Sequence, residues 1–142
     1  EDIAALTLQR FPVVPKEKPN FLSHRTAPRE TAAMPDADRD TLIKQYPRYS
    51  IIVCRCEQIS EGEIRDAVRS CRAIGMQHIS LDAIKRRCRA GMGRCHGGFC
   101  TPRVLEIISR EAGIPLERIT KKGGASYILH SPLPTDERKA SL

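Results

Sequence analysis

From Ser60 onward the apolar positions recur at helical spacing. Ile64, Ala67, Val68 and Cys71 fall at i, i+3, i+4 and i+7, which predicts a helix with one buried face. Ser60-Glu61-Gly62-Glu63 just before them is a capping box. In it the serine hydroxyl accepts from the Glu63 amide while the Glu63 carboxylate returns to the serine amide. Gly75 marks the exit. A second stripe, Leu81, Ile84 and Cys88, predicts a helix capped by Ser80 with Asp82 in its first turn. Lys85, Arg86, Arg87 and Arg89 cover its other side, and Gly91 and Gly93 are expected to end it. A third helix opens at Thr101-Pro102, read as a hydroxyl N-cap followed by proline at the first helical position. Val104, Leu105, Ile107 and Ile108 give it a wide apolar face, Gly113 ends it, and Pro115 to Arg118 suggest one more turn. Ahead of all three, Ile51, Ile52 and Val53 form a short β-branched run that ends at Cys54.

The flanks are less regular. Six of the ten prolines lie in the first fifty residues, and residues 12–35 carry no clear periodicity, so they read as an extended connector. Residues 1–10 read as the end of a helix with Ile3 and Leu6 apolar. Residues 36–45 read as a short helix sharing one face among Leu42, Ile43 and Tyr46 and stopped by Pro47. After Gly124 the pattern fades: Tyr127, Ile128 and Leu129 suggest a short strand or docking segment, and residues 131–142 a disordered tail. The expected fold class is therefore mainly α, a small helical domain with long irregular flanks.

Composition narrows this. A length of 142 residues suits one ordinary domain or a small domain with long flanks, and the first residue, Glu1, suggests a fragment or processed product. With 4% aromatic residues and no Trp, a large aromatic core is not expected, and small cores need a staple. Six cysteines are present, without a visible secretory signal or an apolar run long enough to span a membrane. Clustered cysteines in that context read better as metal ligands than as disulfides. The net charge of +7 admits a nucleic-acid footprint on Lys85, Arg86, Arg87 and Arg89. The alternation of Arg with Glu and Asp over residues 61–72 favours a solvated surface instead.

The cysteines sort by position. Cys54 and Cys56 follow the β-branched run, and Cys95 and Cys100 lie among Gly91, Gly93, Gly97 and Gly98. A polynuclear cluster needs four converging thiolates and backbone that wraps closely around them, which glycine permits. Alternation would place Cys54 and Cys56 on one side of an extended segment. Cys100, just ahead of a helix, would have its thiolate favoured by the positive helix terminus. These four therefore read as ligands of an iron–sulfur cluster, with a structural zinc ion or an empty structural module as the alternatives. Cys71 and Cys88 lie on apolar helix stripes and read as small buried hydrophobes. His96 reads as an outer or solvent-facing residue, and Arg55 and Arg94 as cations that raise a cluster's potential or dock an acidic partner.

The stretch Cys54-Arg55-Cys56-Glu57, the helix start Ser60 to Ile64, Arg89-Ala90-Gly91-Met92-Gly93-Arg94-Cys95 and Gly98-Phe99-Cys100-Thr101-Pro102 resembles the bacterioferritin-associated ferredoxin-like 2Fe–2S domain. That family is helical with helix-turn-helix elements, and four cysteines from two loops hold its cluster. The resemblance covers roughly residues 51–113. It departs from the small stand-alone ferredoxins, which close the site with Cys-x-x-Cys, whereas four residues separate Cys95 from Cys100. This longer form is similar to the version appended to larger flavoproteins. Pro19-Asn20-Phe21, Asp40 to Lys44, Tyr46-Pro47-Arg48-Tyr49 and Thr120 to Tyr127 resemble the C-terminal part of FAD-dependent glycerol-3-phosphate dehydrogenase-like oxidoreductases. The resemblance implies that residues 1–50 are the end of an upstream flavin domain and its connector, and that residues 114–142 are a C-terminal extension. FAD would belong to the upstream domain, because this chain has no Gly-x-Gly-x-x-Gly fingerprint. The implied partners are that flavin domain and an electron acceptor or partner subunit, without nucleic acid or a membrane span. The implied location is cytoplasmic, or peripheral to a membrane through the parent complex.

Overall fold

The computed structural model describes residues 3–11, 16, 19 and 28–129. Most of the expected connector before residue 28, and the expected tail at 131–142, lie outside the described residues. Among the described residues the fold is mainly helical. In order it runs α1 (Ile3–Arg10), α2 (Asp36–Gln45), β1 (Ile52–Cys54), β2 (Ile59–Ser60), α3 (Glu61–Ala73), α4 (Leu81–Cys88) and α5 (Thr101–Ala112). Short 3-10 turns occupy Thr31–Ala33, Pro47–Ser50 and Leu116–Arg118. No helix among the described residues is long and apolar enough to cross a membrane.

The core is the meeting of the three apolar stripes expected from the sequence. Ile64, Val68 and Cys71 of α3, Ile84 of α4 and Ile107 and Ile108 of α5 are all fully buried. Ile79 and Ile119, in loops, close the ends of this core. Each such aliphatic side chain contributes roughly 1.5–3 kcal/mol by leaving water. α1 differs: none of its residues is buried, and Ile3 and Leu6 are exposed. After α5 the chain returns to the start of α4, where the amides of Leu81 and Asp82 donate to the carbonyls of Thr120 and Lys121. Tyr127 makes a single bridge to Thr120, and Ile128 packs on the core, so this end is a docking segment rather than a strand.

The helix ends refine the sequence reading. The Ser60 capping box forms as expected, with both reciprocal bonds present. α4 stops at Cys88, earlier than Gly91, because Arg89 takes the left-handed cap at φ 64° and donates its amide to Lys85. That conformation costs a non-glycine residue roughly 1–2 kcal/mol. The Arg89 side chain is held in return by Glu57 at 2.8 Å. At α5, Thr101 is already helical and does not cap. The chain is turning from Gly97 onward, and Cys100 occupies the cap position with φ −87° and ψ −21°.

Candidate metal centre

The first half of the site is a β-hairpin. β1 and β2 pair antiparallel, Ile52 opposite Ser60 and Cys54 opposite Ile59, with an irregularity between them. The partner strand β2 was not foreseen, since its two residues were read only as the approach to the capping box. The hairpin also changes the account of Cys56. The strand ends at Cys54, and residues 55–58 form the turn, with Gln58 at φ 52°. Cys56 therefore reaches the site around a turn rather than by alternation along an extended segment. Cys54 is buried and Cys56 exposed.

The second half is the glycine-rich loop between α4 and α5. Gly93 is the closest approach between the halves: a Cβ built on it would lie 2.1 Å from the Cβ of Cys56. A hydrogen there lets the loop press against the hairpin and bring the Cys56 and Cys95 sulfurs to 3.7 Å. Backbone amides of Phe99 and Gly97, then the Cys56 thiol, hold the Cys95 thiol below the ordinary cysteine range. Cys100 behaves oppositely. Burial pushes its thiol up to about 11, and the neighbouring Cys54 adds to the rise. Cys100 does stand at the cap position of α5, as expected, and it is buried there. With only 3% of its surface exposed, the Cys100 anion would lose most of its hydration.

All four cysteines line one cavity of about 570 Å³, together with Ile51, Ile52, Val53, Arg55, Phe99 and Arg103. Within it the thiols form two pairs, a buried one of Cys54 with Cys100 and a more exposed one of Cys56 with Cys95. Among the described residues no three His, Cys, Asp or Glu side chains close on one point as a single metal ion requires. Four sulfurs spread as two pairs, with amides turned toward Cys95 and a glycine permitting close approach, fit a binuclear iron–sulfur group in residue chemistry. The rim is open and mixed: Phe99 is 89% exposed and Ile52 48%, with Arg55 and Arg103 beside them.

The remaining candidates lie elsewhere. Cys71 is fully inside the core. Cys88 is buried beside the site, its thiol donating to the Ile84 carbonyl at 3.5 Å and pushed up to about 11 by burial. His96 is exposed in a left-handed turn, with its amide on the Gly93 carbonyl, and it is not among the cavity-lining residues. Arg55 lies at the cavity rim and Arg94 is exposed on the loop beyond it. Of the basic run on α4, Arg87 donates to the Ala83 carbonyl and the Met76 sulfur, and Arg89 pairs with Glu57 of the hairpin turn. Sequence reasoning missed that last ion pair, which joins the two halves from outside. The αL position of Arg89 gives no local sequence signal.

A helical domain with two cysteine pairs gathered at one end is an arrangement that iron–sulfur and zinc-binding proteins share. Residues 52–110 match the family model of the BFD-like [2Fe-2S] binding domain. Among curated proteins, a glycerol 3-phosphate dehydrogenase of Caloramator mitchellensis is 43% identical over 121 residues, covering 85% of this chain and 24% of the relative. A subunit of the anaerobic glycerol-3-phosphate dehydrogenase of Escherichia coli (strain K12) is 36% identical over 59 residues, 42% of this chain and 10% of the relative. A subunit of the opine oxidase of Rhizobium meliloti is 32% identical over 82 residues, 58% of this chain and 14% of the relative. The chain thus spans about a quarter, or less, of the length of these relatives. No solved structure matches it significantly. By their names these relatives are dehydrogenases and an oxidase.

Proposed function

We propose that Cys54, Cys56, Cys95 and Cys100 hold a 2Fe–2S cluster, and that the chain is the C-terminal electron-transfer part of an FAD-dependent glycerol-3-phosphate dehydrogenase-like oxidoreductase. The observation that carries this reading is the gathering of these four thiols, and neither of the other two cysteines, around one cavity with an exposed mouth. When bound, such a cluster accepts and releases single electrons. The chain's own residues supply the rest. Cys54 and Cys100 seat the inner side in the core, where water is excluded. Cys56 and Cys95 form the outer side, nearest the mouth. The amides of Phe99, Gly97 and Gly98 stabilise negative charge on the Cys95 sulfur. Arg55 at the rim adds positive charge, which favours a more negative reduced state.

In this reading the electron donor is a flavin held by an upstream domain of the same polypeptide, and the acceptor is a partner subunit or redox protein. The 43% identity to a glycerol 3-phosphate dehydrogenase over most of the chain supports the choice of parent enzyme. The location that goes with it is cytoplasmic, or at a membrane surface through a partner.

The test is anaerobic purification followed by a visible spectrum and analysis for iron, sulfide and zinc. About two irons and two sulfides per chain are expected. Serine at Cys54, Cys56, Cys95 or Cys100 should abolish or strongly labilise the visible absorption, whereas Cys71→Ser should leave it in place. About one zinc and no iron would sink the proposal, and equal cluster loss from Cys71→Ser would show the ligands to be misassigned.

A further inference from the structure

The first turn of α3 reads Glu61-Gly62-Glu63, and all three residues are buried. Two carboxylates and a glycine are poor material for a core, so each needs a partner. Each finds one in residues 28–50, upstream of the 52–110 segment that matches the domain family.

Glu63 accepts from the Thr31 amide at 3.1 Å and from the Thr31 hydroxyl at 2.8 Å. The same carboxylate accepts from the Ser60 amide at 2.8 Å and the Ser60 hydroxyl at 2.6 Å. Four donors thus converge on one buried carboxylate, two from the upstream segment and two from β2. Gly62 is the floor for Tyr49: a Cβ there would sit 2.6 Å from the ring. The Tyr49 hydroxyl donates to Asp66 and accepts from Arg29 at 3.3 Å. Glu61 pairs with Arg48 at 3.2 Å and with Arg110 of α5 at 2.5 Å.

The consequence runs to the cysteines. Ser60 is the β2 residue opposite Ile52, and its neighbour Ile59 lies opposite Cys54. A carboxylate that fixes Ser60 therefore fixes the strand against which the Cys54 strand is laid. We infer that residues 28–50 are a clasp belonging to the cluster domain, and that Thr31, acting through Glu63 and Ser60, is a positioning residue for the Cys54–Cys56 hairpin. The functional meaning of the clasp rests on the four-cysteine reading above, but its existence does not.

Hydrogen exchange on the full chain tests it, with Thr31→Val and Thr31→Ser compared with the parent sequence. Valine keeps the shape and the amide bond but removes the hydroxyl, and serine restores the donor. In the parent sequence the amides of residues 31–33 should be protected. Thr31→Val should speed exchange roughly tenfold or more at residues 31–33 and across the hairpin 52–60, the effect of losing one bond to a charged group. Residues 104–108 of α5 should be unchanged, and Thr31→Ser should restore the parent pattern. In the anaerobically purified chain, Thr31→Val should also hasten cluster loss to a chelator, and Thr31→Ser should not. Rapid exchange at residues 31–33 in the parent sequence would overturn the clasp. Deprotection of residues 31–33 that leaves the hairpin untouched, or that spreads evenly into α5, would overturn the positioning role. Because exchange needs no cluster, a chain that binds zinc could still show the clasp, and an iron-loaded chain could still lack it.

Discussion

The two halves of the cysteine site are built by different means. The hairpin half is held by side chains: Glu63 gathers Ser60 and Thr31, Tyr49 lies over Gly62, and Arg89 reaches Glu57. The loop half is held by backbone: left-handed glycines at Gly91 and Gly97, an early helical turn from Gly97 to Thr101, and amides aimed at Cys95. Each half offers one buried and one more exposed thiol. Side-chain scaffolding can be taken apart one bond at a time, with graded losses. Backbone scaffolding yields little until a Cβ is forced into it, and then fails at once.

The largest effect should come where the halves touch. Gly93→Ala would place a methyl 2.1 Å from the Cys56 Cβ, a contact that only movement of the hairpin or the loop can relieve. Either movement separates Cys56 from Cys95, so the variant should purify with iron and sulfide near background. Gly98→Ala is the control within the same loop. Its Cβ would meet the Cys95 carbonyl at 3.2 Å, which a shift of a few tenths of an ångström relieves, so most of the cluster should survive. Equal losses from both would mean that the loop responds to any added bulk and that the contact at Gly93 is nothing special.

A second experiment separates the thiols by environment. In the cluster-free chain at neutral pH, Cys95 should react with iodoacetamide well before Cys100 and Cys88. Backbone amides hold the Cys95 thiol low, while burial pushes the other two up to about 11. The thiolate is the nucleophile, so the rate of each follows its ionised fraction and its access. Mass spectrometry of peptides along a time course gives the order. Cys100 labelled as fast as Cys95 would mean that the buried pair opens freely without the cluster.

The contrast between the halves also explains what the sequence disclosed. The three helices, their buried stripes and the Ser60 capping box were legible, because period and capping are local properties that neighbours within four residues decide. The four cysteines stood out through their loop setting and through the resemblance. The clasp was illegible: Thr31 and Glu63 are 32 residues apart, and nothing near Thr31 announces that a buried carboxylate needs a donor. The prolines of the first fifty residues instead suggested an extended connector over a stretch that includes Thr31. The end of α4 was misjudged for a related reason. Glycine is the expected left-handed cap, but Arg89 holds that place with its side chain anchored on a residue more than thirty positions away. The burial that raises the Cys100 thiol was not legible either, because burial, unlike a position ahead of a helix, is not a local quantity.

The smallest effect tests the side-chain half alone. Tyr49→Phe keeps the ring over Gly62 and removes only the hydroxyl that donates to Asp66. The cost should be about 1 kcal/mol, the usual net value of one hydrogen bond, read as a shift in the denaturant midpoint with the slope unchanged. Its pH dependence has a definite sign. Burial, and then the bond to Asp66, push the Tyr49 phenol from 10 up to about 12 in the folded chain. A raised folded-state pKa contributes stability that is fully present below the unfolded value and is lost as pH climbs through the folded one. The difference between the parent chain and the Tyr49→Phe variant should thus be constant below about pH 10 and shrink between about 10 and 12, and cluster content should be nearly the same in both. A difference that persists undiminished above that window would mean the hydroxyl stabilises through something other than its proton. Loss of the cluster on so slight a change would erase the distinction between graded and abrupt halves, because the side-chain scaffold would then be as brittle as the backbone one.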